Sequence, residues 1–295
     1  MAYAEDEDTP LATAAAAAVY VRRGLKGTFA KPKSTRIITI VNQKGGVGKT
    51  TSAVNLAAAM GLAGLNVLVI DLDPQGNAST AFGIDHYEDA SGSFDVLLDG
   101  APIANMMTQA EGFDSLWVLS ATLDLAGADI ELITTVTEAK RPFLLKTALS
   151  QFLAEHEMDY VFIDCPPSLG LLTINALAAV KEVLIPIQCE FYALEGVQQL
   201  LRTIEFVKER INPELEVSTI LLTMYNSTTN LSSSVVEEVR GYFGKKVLAT
   251  VIPRSTYVAE APSFGQSVMT YDPGSTGAVA YLAAAREITE RKAKG

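Results

Sequence analysis

The most constraining stretch of this chain is an apolar run, Ile37–Val41, that passes without a break into Asn42-Gln43-Lys44-Gly45-Gly46-Val47-Gly48-Lys49-Thr50-Thr51 and then into the helix-prone SAVNLAAAM. Strand, glycine-rich loop and helix in that order are what a phosphate-binding loop requires. The glycines let consecutive backbone N–H groups turn inward around phosphate oxygens, and the helix adds the positive end of its dipole. In such a loop Lys49 reaches the β- and γ-phosphates and the Thr50 hydroxyl ligates Mg²⁺. The spelling departs from G-x-x-x-x-G-K-[ST], because Gln43 stands where the first glycine belongs; the chain reads K-G-G-x-G-K-T instead.

The rest of the chain from Arg36 onward alternates short apolar runs with longer helical stretches. Predicted strands are Ile37–Val41, Val67–Asp71, Leu116–Leu119, Tyr160–Asp164, Val183–Ile187, Val217–Leu222 and Val247–Val251. Helices are predicted to start near Lys49, Phe143, Leu171, Leu194, Ser232 and Thr276. This is the pattern of βαβ units. The expected fold is α/β, a doubly wound, mostly parallel sheet covered by helices on both faces. No internal repeat or second-domain linker interrupts residues 35–295. Residues 1–34 differ: an acidic start (Glu5–Asp8), an alanine run, then Arg22, Arg23, Lys26, Lys31 and Lys33. They read as a flexible extension, with a short helix around Leu11–Arg23 as the alternative. The acidic start argues against a secretory or organelle leader.

Two further strands end in carboxylates. Val67–Asp71 continues into Leu72-Asp73-Pro74-Gln75-Gly76-Asn77, so Asp71 and Asp73 emerge at the strand C-termini, the ligand edge of a parallel sheet. Capping or turn formation is the alternative role for both. Tyr160–Asp164, followed by Cys165-Pro166-Pro167-Ser168, has the form of a Walker B strand, in which Asp164 holds Mg²⁺ through a water.

KGGVGKT resembles the deviant Walker A motif of the ParA/MinD group of P-loop ATPases. Further segments are similar to its chromosome-partitioning branch, ParA/Soj: LAGADIEL, CPPSLGLLTINAL, IPIQCEFYALEG, LLTMYN, VIPR and EAPSFG, between about Arg36 and Arg291. The resemblance implies an ATP-dependent homodimer in which Lys44 reaches across to the partner's phosphates, as an arginine finger does. It implies that Gly45, Gly46, Val47, Gly48, Lys49, Thr50 and Thr51 cradle ATP, with Pro253 and Ser255 against the adenine. It implies that Asp73 orients the attacking water, and that Asp71 joins Thr50 and Asp164 around Mg²⁺ from the outer shell. A ParB-like partner that stimulates a slow hydrolysis, non-specific double-stranded DNA as the surface, and a cytoplasmic, nucleoid-associated location are implied too.

Charge bears on the DNA expectation. The 34 acidic and 23 basic residues give a net −11, so DNA contact must come from a local patch. Arg254, in VIPR, matches a family DNA contact. Thr228, Tyr257 and Gln266 stand where relatives carry Arg, Arg and Lys, and each loss removes a phosphate contact. Arg240, Lys245, Lys246 and the basic part of residues 1–34 are candidates to compensate, with a solvated charged face as the alternative role for each. These departures keep open a second reading, a positioning or regulatory switch for a non-chromosomal protein cargo. Cys165 and Cys189 fit neither a disulfide framework nor a zinc site, and His86 and His156 read as surface histidines. The end, Arg286–Gly295, has almost no apolar face with which to lie on a membrane.

Overall fold

The computed structural model describes residues 29–86, 90–191 and 193–291. Residues 1–28 of the expected flexible extension, with the alternative helix around Leu11–Arg23 and the cations Arg22, Arg23 and Lys26, lie outside them. Among the described residues eight strands form one sheet: β1 (Arg36–Ile40), β2 (Val67–Asp71), β3 (Met107–Gln109), β4 (Leu116–Leu119), β5 (Tyr160–Asp164), β6 (Glu182–Gln188), β7 (Glu216–Tyr225) and β8 (Val247–Pro253). Their order is β3-β4-β2-β5-β1-β6-β7-β8. All pairings are parallel except the edge pair β3–β4.

Such strands are buried on both faces, so their sequences are nearly continuous apolar runs. In β2 and β5 every position is buried. Successive side chains still alternate between two cores. Leu68 and Ile70 point into one core and Val67 and Val69 into the other.

The helices are α1 (Lys49–Leu62), α2 (Asn77–Ala81), α3 (Ile103–Met106), α4 (Ala128–Thr135), α5 (Leu144–Glu155), α6 (Leu171–Ala179), α7 (Glu195–Arg210), α8 (Asn230–Phe243), α9 (Thr256–Glu260), α10 (Val268–Tyr271) and α11 (Thr276–Glu290). The first core takes Leu149 and Phe152 of α5, Leu177 of α6, Leu200 and Val207 of α7, and Val239 of α8. The second takes Leu56 and Met60 of α1 with Tyr281, Ala284 and Ile288 of α11.

At the edge remote from the loop, Arg36 ties strands to the last helix. Its guanidinium donates to both Glu182 oxygens at 2.8 and 2.7 Å and to the Ile288 carbonyl at 2.6 Å.

Residues 29–34, assigned by sequence to the extension, lie against this body. Phe29 is buried beneath the Arg286 guanidinium, and Lys31 pairs with Asp159 at 3.4 Å. His86 is not a surface residue as expected; it is 6% exposed, and its ring fills the space beside Gly76 that a side chain there would need. His156 is half-buried and stacks on Phe152.

Candidate nucleotide site

Parallel strands bring their C-terminal loops to one edge, and there the loops after β1, β2 and β5 surround a cavity of about 680 Å³. Gly45, Gly46, Gly48, Lys49, Thr50, Thr51 and Asp73 line it. The loop needs its glycines for shape: Gly46 and Gly48 have φ of 72° and 89°, a left-handed conformation costly for other residues, and Gly48 starts α1. The loop is also pinned from outside. The Thr223 hydroxyl of β7 donates to the Val47 carbonyl at 2.8 Å. Asn42 donates to the Pro186 carbonyl at 2.8 Å and accepts from the Lys44 N–H at 3.0 Å.

Asn42 and Thr223 are positioning residues that sequence reasoning missed. Asn42 had a signal, a side chain able to bond the backbone two residues on at the strand–loop junction. Thr223 had none, lying 176 residues from the carbonyl that it holds.

The carboxylates meet because β2 and β5 are neighbours in register, Asp71 opposite Asp164. Asp71 is fully buried and largely engaged. One oxygen accepts from the Asp73 N–H at 3.1 Å, the other from the Ser79 N–H and hydroxyl at 2.9 and 2.8 Å. These bonds take up three of the carboxylate's about four lone-pair positions. Burial pushes its pKa up to about 6 against those hydrogen bonds. Asp73 closes a turn, its carboxylate accepting from the Gln75 N–H at 3.1 Å.

Asp164 differs. Both of its oxygens are buried, and neither has a hydrogen-bond partner among the described residues. Burial and the Asp71 charge raise its pKa well above the carboxylate range, while Thr50 and the Lys49 charge act in the other direction. An unsatisfied buried carboxylate beside a loop threonine fits a hard cation that takes oxygen ligands. Among the described residues no group of three or more His, Cys, Asp or Glu could hold a metal.

Other expected contacts lie elsewhere. Lys44, Pro253 and Ser255 do not line the cavity, nor do the buried Val47, Asp71 and Asp164; Met224, Pro262, Ser263 and Gln266 do. Met224 itself has φ of 52°, the single positive value outside glycine among the described residues. Ser255 packs beside Gly277 at the start of α11. Both cysteines are free and buried, with the Cys165 thiol pushed up to about 12 by burial.

The AAA_31 family, an AAA domain, matches residues 35–217. The chromosome partitioning protein ParA of Myxococcus xanthus is 50% identical over 256 residues, 87% of this chain and 88% of that protein. The sporulation initiation inhibitor protein Soj of Bacillus subtilis is 48% identical over 253 residues, 86% of this chain and 98% of its own length. The chain belongs to the ParA/Soj family.

Its fold is that of the P-loop NTPases to which ParA/Soj and MinD proteins belong. A structure of cobyrinic acid a,c-diamide synthase from Mycobacterium smegmatis with bound ADP and magnesium superposes with a TM-score of 0.72 at 37% identity, covering 85% of this chain and 92% of that one.

Within this ParA/Soj chain the expected DNA cations are mostly engaged. Arg254 lies 3.3 Å from Glu190, Arg240 donates to the Ala249 carbonyl at 2.9 Å, and Lys246 lies 3.7 Å from Glu216. Lys245 is exposed on the turn after α8. Thr228 bonds Asn226, and Tyr257 is exposed beside the Arg254 turn. Among the described residues no helix is long and apolar enough to cross a membrane.

Proposed function

We propose that residues 35–295 form an ATPase unit that dimerises on ATP and drives partitioning of DNA with a ParB-like partner. The observation that carries this reading is one cavity lined by the glycine-rich loop with Lys49, Thr50 and Asp73, beside the fully buried Asp164 carboxylate. The backbone N–H groups of Gly45–Gly48 and the N-terminus of α1 hold the triphosphate, and Lys49 neutralises its β- and γ-oxygens. Thr50 and Asp164, with Asp71 in the outer shell, hold Mg²⁺, which offsets charge on the transferred phosphoryl group. Asp73 orients the water that attacks the γ-phosphorus. Lys44 of one subunit completes the site of the other, so hydrolysis waits for the dimer. The partner accelerates a slow reaction, and the ATP dimer rests on the nucleoid through paired Arg254 surfaces in the cytoplasm.

Complementation tests it. Lys49→Ala loses nucleotide binding. Asp73→Ala binds ATP and accumulates as a dimer in light scattering. Lys44→Ala binds ATP but forms no hydrolysing dimer alone, and mixing it with Asp73→Ala restores partner-stimulated turnover. Normal turnover by Lys44→Ala alone refutes the cross-subunit role.

A second reading is favoured by the engaged state of Arg254, Arg240 and Lys246: an ATP switch that positions a protein cargo. It predicts a stable ATP dimer with no affinity for random duplex DNA at ~50 mM salt, where even a few phosphate contacts suffice.

A further inference from the structure

Glu190 stands two residues beyond β6, and two cations from other loops converge on it. One carboxylate oxygen lies 3.7 Å from Lys44 Nζ, in the loop after β1. The other accepts from Arg254 Nη2 at 3.3 Å, just after β8, and from Gln188 Nε2 at 2.6 Å. The backbone sets this meeting. The Arg254 N–H donates to the Tyr225 carbonyl at 3.0 Å and the Cys189 N–H to the Thr223 carbonyl at 3.0 Å, so both loops are stitched to the end of β7.

We propose that Glu190 is a positioning residue that withholds Lys44 and Arg254 from phosphate groups until nucleotide and DNA compete for them. This rests on the roles proposed above for those two cations. A carboxylate and a phosphate offer a cation the same kind of partner, so each phosphate contact made by Lys44 or Arg254 is made against Glu190. Withdrawing both cations leaves the carboxylate with Gln188 alone.

The groups are half to two-thirds exposed, with side chains 46% exposed for Lys44 and Glu190 and 65% for Arg254. Exposed pairs are individually weak and are screened by salt. The device therefore biases a competition that the ligand can win.

The test compares full-length wild type, Glu190→Gln and Glu190→Asp. Glu190→Gln keeps the shape and the Gln188 contact but removes the charge. Two readouts are taken at ~50 mM salt: the protein concentration at which Mg·ATP drives dimerisation, and the affinity of nucleotide-free protein for random-sequence duplex DNA. Glu190→Gln is expected to dimerise at a lower concentration and to bind DNA roughly two- to fivefold more tightly without nucleotide, the range of an exposed ion pair. Glu190→Asp should return towards wild type, and the DNA gain should vanish in an Arg254→Ala background. An unchanged dimerisation threshold in Glu190→Gln overturns the proposal. So does unchanged DNA affinity wherever wild type itself binds DNA. Wild type that never binds DNA, even with ATP, overturns the DNA reading instead and leaves dimerisation to decide for Glu190.

Discussion

Asp164 pays an electrostatic cost in the nucleotide-free chain, and that cost is measurable as pH-dependent stability. A carboxyl whose folded pKa is raised binds its proton more tightly in the folded state, so stability falls as pH rises through that range. Asp71, pushed up to about 6, loses roughly 1 kcal/mol of folding free energy between pH 5.5 and 7.5, and Asp164 acts in the same direction. Denaturant unfolding of nucleotide-free protein should show higher stability at pH 5.5 than at 7.5. Mg²⁺ with nucleotide should remove the difference, since the ion favours both ionised forms. Asp164→Asn should be more stable than wild type at pH 7.5 and indifferent to Mg²⁺. That the loop Gly45–Thr51 and the three carboxylates come to one sheet edge was legible, because each follows or ends a strand of the parallel sheet. His86 was not legible: nothing local to it indicates that its ring packs against the Gly76 turn.

Among elements, the central strands were read to within a residue or so, because a strand buried on both faces shows as an unbroken β-branched run. β1 starts and ends one residue earlier than expected, at Arg36 and Ile40, since Arg36 is drawn in by Glu182. The three-residue edge strand β3 and the four- or five-residue helices α2, α3, α9 and α10 were missed because none is long enough to show a period, and the eight-residue α4 was missed as well. Elements far apart in sequence also cooperate in the loop, which gives a test. Thr223→Val keeps the volume but strands the buried Val47 carbonyl, a loss of about 1–2 kcal/mol. If β7 holds the loop in its binding form, calorimetric titration should show ATP binding weakened by about tenfold beyond that loss of stability.

For the whole molecule, a net −11 sets the background against which any DNA contact operates. A dimer with two Arg254 contacts should show a slope of about −2 in log affinity against log salt, so binding falls roughly tenfold between ~50 and ~200 mM. Fluorescence anisotropy with random duplex DNA should give this slope with ATP, and Arg254→Glu should abolish it. A much steeper slope would point to further cations beside Arg254, the exposed Lys245 first among them.

The strand order has a consequence in time as well. β1 carries the phosphate loop yet sits between β5 and β6, and Arg36 finds Tyr160 and Glu182 across 124 and 146 residues of chain. Contacts of such separation form late, because the intervening chain must first be closed into a loop. A ribosome that has already made Lys49 and Thr50 therefore carries a binding loop with no neighbours. During synthesis, competence to hold a nucleotide arrives only with the second half of the polypeptide, and a nascent chain arrested before β5 should emerge blind to ATP.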